Sequence, residues 1–311
     1  MRHPALDPQA HDLLEVMRAM AAPPIHTLSV EAARERMRAA LIPPGEPLPL
    51  HRVEDVLVPT PTGELQLRLY RPSEGELPVA LFFHGGGFTL NDLDTHDELC
   101  RRLASRSGWL FASLHYRRAP EHKHPAALED AAHAYHWLLD NQRALGIAGS
   151  ERALVGESSG GTIAASLTLL LRDSGSPAPT YQVLAYPMLD LVGRWPSHET
   201  HASGYSLDTD QVRWFLGHFM PAGFDTSDPY LFPLRALDVA GLPPTLVMTA
   251  EFDPLRDEGI AYAERLLQAG VEVEHVHAGD QMHGFLMLSR AVDRAAQLID
   301  ELADHLAARR R

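Results

Sequence analysis

From residue 78 onward the chain alternates short apolar runs with segments of helical periodicity, and this alternation constrains the fold more than any other feature. Runs at 78–83, 109–114, 152–155, 181–186, 245–250 and 271–277 have the length and composition of buried strands. Segments near 95–107, 125–140, 160–172, 256–269 and 290–309 carry apolar residues at three- and four-residue spacing, the pattern of helices with one buried face. Such alternation builds an α/β fold with a mostly parallel sheet and helices on both faces. Ligands of such sheets bind beyond the carboxyl ends of the strands.

Two glycine motifs fall at those ends. Pro78-Val79-Ala80-Leu81-Phe82-Phe83 leads into His84-Gly85-Gly86-Gly87, and Arg152-Ala153-Leu154-Val155 leads into Gly156-Glu157-Ser158-Ser159-Gly160. A shuffled chain of this composition would contain Gly-x-Ser-x-Gly with a probability of roughly 0.08 and the His-Gly-Gly-Gly run with about 0.006, so placement matters more than pattern. An apolar helical stretch follows Ser158, which puts the serine at a tight strand-to-helix turn. Glycines on either side allow the helix to approach the strand closely. The hydroxyl then sits at a helix N-terminus, where free amides and the helix dipole favour developing negative charge. Gly85 and Gly86, with no side chains in the way, are expected to offer N–H groups to a carbonyl oxygen, and the amide of Ser159 is expected to add a third donor.

A serine hydroxyl is a poor nucleophile at neutral pH and needs a histidine base, which in turn needs a carboxylate to fix its tautomer. The chain has 18 histidines, so position must select among them. Asp253 follows the apolar run 245–250 and His283 lies in the loop after 271–277, giving the order Ser158, Asp253, His283 on one edge of the sheet. Glu251 and Asp257 flank the acid and are its rivals. His275 and His277 alternate within a strand and read as sheet-face residues. His84 is either an alternative base or a residue that holds the glycine loop in shape.

Residues 7–21 and 29–41 have helical spacing and end at Pro23-Pro24 and Pro43-Pro44; 53–58 and 65–70 read as an antiparallel hairpin. Residues 188–230 break the later alternation and bring Trp195, Tyr205, Trp214, Phe215, Phe219, Met220 and Phe224. These are either core residues of a long connection or part of a cap over an apolar pocket. The expected organisation is an N-terminal part of a cap at 1–45, a core at 46–187 and 231–311, and a cap insertion at 188–230.

A net charge of −14 argues against nucleic-acid and anionic membrane surfaces and for a small-molecule ligand. Cys100 is the only cysteine, which rules out an intrachain disulfide and reads as a small buried apolar residue. The start of the chain lacks a long apolar stretch, and no segment reaches the length that spans a bilayer, so a cytoplasmic location without membrane insertion is expected. Lys123, the one lysine, reads as compositional bias.

The His84-Gly85-Gly86-Gly87-Phe88 loop, the segment from Tyr116 to His122 with Pro125-Ala126-Ala127, the turn Gly156 to Gly161, Asp253-Pro254-Leu255-Arg256-Asp257-Glu258 and His283-Gly284-Phe285 together resemble the hormone-sensitive-lipase-like (bacterial family IV) esterases of the α/β-hydrolases. The resemblance spans nearly the whole chain. It implies Ser158 as nucleophile, Asp253 as acid and His283 as base, an oxyanion hole of Gly85, Gly86 and Ser159, and a helical cap. Glu157 and Ser159 stand where the family usually has Asp and Ala, and His115 where it commonly has Asp. The implied activity is hydrolysis of short- to medium-chain, fairly apolar carboxylic esters, with no metal or organic cofactor. The same machinery also serves amidases, formamidases and lactonases, and a non-catalytic receptor on this scaffold is a further alternative. Strand 271–277 is expected at the sheet edge, where a second copy could pair to form a homodimer.

Overall fold

Every residue of the strand Leu77–Phe83 is buried, and its side chains divide by parity between two apolar clusters. Leu77, Val79, Leu81 and Phe83 enter one; Ala80 and Phe82 enter the other. That division is the period of two expected of a strand covered on both faces. In the computed structural model, which describes residues 5–42, 45–61, 63–190 and 192–310, this strand is the third of eight. They are β1 (Arg52–Thr60), β2 (Gly63–Arg71), β3 (Leu77–Phe83), β4 (Leu110–His115), β5 (Ile147–Glu157), β6 (Tyr181–Ala185), β7 (Thr245–Phe252) and β8 (Val273–Met282). The order in the sheet is β1-β2-β4-β3-β5-β6-β7-β8. β1 and β2 pair antiparallel, as do β2 and β4, and every later pair is parallel.

The helices are α1 (Pro8–Ala19), α2 (Val30–Leu41), α3 (Asp97–Ser107), α4 (Ala126–Asp140), α5 (Gln142–Leu145), α6 (Ser159–Asp173), α7 (Ser197–Thr200), α8 (Thr209–Phe219), α9 (Arg256–Gln268) and α10 (Asp293–Ala307). α1, α3 and α10 bury Leu14, Leu103 and Leu302 in one cluster, whereas α4, α6 and α9 bury Leu138, Leu167 and Leu266 in the other. The expected α/β fold is therefore present, with β8 at one edge. The strand order reverses around β3, since its successor β4 lies on one side and β5 on the other. The carboxyl ends of β3 and β5 thus flank a topological switch point, and both glycine motifs lie there.

Some boundaries differ from expectation. β5 begins at Ile147, five residues before its apolar run, because Ile147 pairs with Leu77 across the sheet. β8 continues to Met282 after a register shift that pairs Met282 with Phe252, so His283 follows the strand directly rather than a long loop. α5 has too few residues for periodicity to reveal it. Pro43-Pro44 lie outside the described residues.

Two close contacts place the future site. A Cβ at Gly160, in the first turn of α6, would fall 2.0 Å from the carbonyl oxygen of Phe83, so only glycine lets α6 lie this near β3. At the start of α9, the buried Glu258 carboxylate accepts the backbone N–H groups of Leu189 (3.1 Å) and Asp190 (2.5 Å), the root of the insertion. Its neighbour Asp257 accepts the N–H of Ser197 at the start of α7 (2.8 Å). One turn after β7 therefore fastens the insertion at two points.

Burial pushes the Glu258 carboxyl up to about 8; the N–H groups of Asp190 and Leu189 oppose the rise, and the Asp190 and Asp253 carboxylates add to it. A carboxyl raised in the folded state binds a proton on folding between its ordinary value of 4.5 and about 8. Its contribution to stability is full below that window and is lost as pH rises through it. Melting temperatures measured from pH ~5 to pH ~9 should fall more steeply in the wild type than in Glu258→Gln, which keeps an acceptor oxygen without the titration; parallel curves would contradict this assignment. Gly160→Ala should cost about 3 kcal/mol in urea unfolding, the upper end of ordinary overpacking. Gly217→Ala in α8, where a Cβ meets nothing within 4 Å, should instead gain about 0.5–1 kcal/mol.

Candidate active site

Ser158 stands between β5 and α6 with φ of 53° and ψ of −122°, a conformation that is unfavourable for any residue with a side chain. The surroundings enforce it. Its N–H is held by the Ala185 carbonyl of β6 (2.9 Å), and its carbonyl accepts the N–H groups of Gly161 and Thr162 in the first turn of α6. A Cβ at Gly156 would lie 2.1 Å from the Gly160 carbonyl oxygen, which is why glycine flanks the serine on both sides.

The structure brings Ser158, Asp253 and His283 together from three strand ends. His283 Nε2 lies 2.9 Å from Ser158 Oγ, and His283 Nδ1 lies 2.7 Å from Asp253 Oδ2. Asp253 is fully buried, and its other oxygen accepts the Leu255 N–H (2.8 Å), so both carboxylate oxygens are engaged. Tyr186 packs edge-on against the His283 ring at 4.9 Å. From the insertion, Ser206 Oγ donates to the His283 carbonyl (2.6 Å). Ser158 is 6% exposed and His283 9%, so the chain of groups lies under cover.

The rivals are occupied elsewhere. Glu251 pairs with Arg256 (2.6 Å) and His277 (3.1 Å), and Asp257 holds Ser197 and Arg256. His275 and His277 both hydrogen-bond the Thr249 hydroxyl (2.9 Å each) on the sheet face. His84 is buried, with Nδ1 2.8 Å from the Gly85 carbonyl and its ring stacked on Tyr116 at 4.3 Å. Burial, then the neighbouring His96, pushes its pKa well below the ordinary imidazole value, so it is neutral and serves the shape of the glycine loop.

That loop departs from expectation at one position. The Gly85 N–H is donated to Glu157 Oε1 and is not turned toward Ser158, and a Cβ at Gly85 would strike the same carboxylate at 2.1 Å. Glu157 therefore excludes a side chain at Gly85. Among the described residues the N–H groups of Gly86 and Gly87 have no partner, nor does that of Ser159 at the start of α6. Gly86 has φ of 112° and Gly87 φ of 59°, and a Cβ at Gly86 would lie 2.7 Å from the Leu90 carbonyl oxygen. The free pair is one residue further along than expected.

His96, which no sequence pattern reveals, and Tyr116, which opens one of the motifs, complete the support. His96 is buried with Nε2 3.0 Å from Glu157 Oε1 and Nδ1 3.0 Å from the Thr95 hydroxyl. Tyr116 donates its hydroxyl to the His84 carbonyl (2.9 Å). Of the seven residues singled out in the insertion, Phe215 and Phe219 reach the glycine loop: Phe219 stacks on Phe88 with ring centres 3.6 Å apart, and Phe215 lies over Gly87. Tyr205 packs instead on Phe252, and Phe224 on Phe232. Cys100 is buried on α3, its thiol pKa pushed up by burial. Among the described residues no group of three or more His, Cys, Asp or Glu side chains is placed to hold a metal ion, and no helix is long and apolar enough to cross a membrane.

The chain is similar to known proteins over most of its length. A family model described as the alpha/beta hydrolase fold matches residues 80–287. Carboxylic ester hydrolase LipN of Mycobacterium tuberculosis is 39% identical over 289 residues, 89% of this chain and 77% of that protein. An ethyl acetate hydrolase of Pseudomonas putida is 35% identical, over 91% of this chain and 92% of its own. Among solved structures, a hyperthermophilic esterase from Pyrobaculum calidifontis superposes with a TM-score of 0.92 at 36% identity over 98% of both chains. On the family match over residues 80–287 and relatives of 35–39% identity over most of the chain, the chain belongs to the hormone-sensitive-lipase-like (bacterial family IV) esterases of the α/β-hydrolase superfamily.

Proposed function

We propose that the protein hydrolyses short- to medium-chain, fairly apolar carboxylic esters through an acyl-enzyme on Ser158. The observation that carries this reading is the hydrogen-bonded chain Asp253–His283–Ser158, with spacings of 2.7 and 2.9 Å. His283 Nε2 accepts the Ser158 proton as Oγ attacks the ester carbonyl, and Asp253 holds the imidazole in the tautomer with Nδ1 protonated and stabilises its charged form. The developing oxyanion takes hydrogen bonds from the unpartnered N–H groups of Gly86, Gly87 and Ser159, at the N-terminus of α6. His283 then returns the proton to the departing alkoxide. Water, deprotonated by the same imidazole, attacks the acyl-enzyme; His283 returns that proton to Ser158 Oγ as the acyl bond breaks and the acid leaves.

The relatives support the ester class: LipN is named a carboxylic ester hydrolase, and the Pseudomonas putida protein an ethyl acetate hydrolase. The preference for apolar substrates is supported by Phe215, Phe219 and Phe88, which meet beside Gly87. Residues 1–45 and 188–230 are the proposed cap that carries this wall.

Ser158→Ala should lower kcat on p-nitrophenyl butyrate by at least about 10⁴-fold, the loss expected when a triad nucleophile is removed while the oxyanion donors remain. A variant that retains kcat within about tenfold of the wild type would refute the nucleophile assignment.

A further inference from the structure

The chain's 27 basic side chains include a single lysine, Lys123, and its ammonium has an unusual position. A helix leaves its last four carbonyls without intrahelical partners, and many helices close with a left-handed residue that satisfies some of them. α8 has no such ending: Met220 is extended (φ −73°, ψ 133°), and Pro221 follows with no N–H to give. The carbonyls are satisfied from the body of the molecule. Lys123 Nζ donates to Gly217 (3.2 Å), His218 (2.5 Å) and Met220 (3.1 Å), and the backbone N–H of His124 donates to Phe219 (3.1 Å). Four consecutive carbonyls at the end of one helix are thus taken by two adjacent residues.

The chemistry suits lysine rather than arginine. A compact ammonium with three donors can converge on three carbonyls that surround it, whereas a guanidinium offers its donors in one plane. The positive charge also faces the negative end of the helix dipole.

What this clasp holds down is the aromatic wall. α8 carries Phe215, whose ring would meet a Cβ on Gly87 at 2.1 Å, and Phe219, stacked on Phe88. Both contacts fall on the glycine loop whose Gly86 and Gly87 N–H groups have no partner among the described residues. The height of α8 above that loop therefore sets the room beside the acyl carbonyl. We infer that Lys123 is a positioning residue that fixes the acyl-chain range by clasping the C-terminal end of α8 onto the catalytic body. The inference rests on the ester-hydrolase reading for its kinetic consequence but not for the clasp itself.

Two readouts separate these. In Lys123→Met, the ratio of kcat/KM for p-nitrophenyl octanoate to that for the acetate should rise at least about tenfold, because a lifted α8 admits longer chains. Backbone amides of α8 should exchange hydrogen at least about tenfold faster, with those of β3 unchanged. Lys123→Arg, which keeps the charge but loses the three-way geometry, should fall between, and it carries the same test where the methionine variant does not fold. An unchanged ratio with unchanged exchange would overturn the inference. So would an equal loss on both esters accompanied by faster exchange throughout the sheet, the signature of a merely structural role. If the wild type hydrolyses neither ester, the functional reading fails, and α8 exchange alone decides the clasp.

Discussion

The site depends on how near the start of α6 comes to the ends of β3 and β5. Gly160 lies against the Phe83 carbonyl and Gly156 against the Gly160 carbonyl, at separations no Cβ could share. This closeness forces Ser158 into a positive φ and turns its hydroxyl toward His283. It also sets the N-terminus of α6 beside the glycine loop that leaves β3, so the Ser158 hydroxyl and the free amides are placed by one packing contact. The strain at Ser158 persists because the Ala185 carbonyl and the first turn of α6 hold both sides of its backbone.

A second, electrostatic tie joins the same two segments. Glu157, next to Ser158, reaches across to accept the Gly85 N–H and to meet His96. A buried carboxylate with both a backbone donor and an imidazole in reach is well satisfied, which offsets the cost of its burial. By holding Gly85 it leaves Gly86 and Gly87 as the residues whose N–H groups are free. The turn after β7 works in parallel: Asp253 accepts from His283, while Asp257 and Glu258 accept the N–H groups of Ser197 and Leu189 in the segment 188–230.

Much of this was legible in the chain because the informative residues sit where patterns change. Strand runs and helical spacing located the end of β3 and, to within two residues, those of β5 and β7, whereas β8 runs on from the expected 277 to Met282; Ser158, Asp253 and His283 follow β5, β7 and β8. The shift from Gly85 to Gly87 was not legible, since three consecutive glycines look alike until Glu157, 72 residues away, selects among them. His96 and Lys123 were hidden for a related reason. Neither belongs to a periodic pattern, and each acquires its role only when a distant carboxylate or helix end is brought to it by the fold. The start of β5 at Ile147 likewise follows from pairing with Leu77, not from local apolarity.

The most direct test is to treat the protein with a p-nitrophenyl alkylphosphonate, which forms a stable tetrahedral adduct on an activated nucleophile, and to locate the adduct by peptide mass spectrometry. The structure predicts one phosphonyl group per chain, on the peptide bearing Ser158, with stoichiometric release of p-nitrophenol. An adduct on any other residue, or no adduct while ester hydrolysis proceeds, would contradict it.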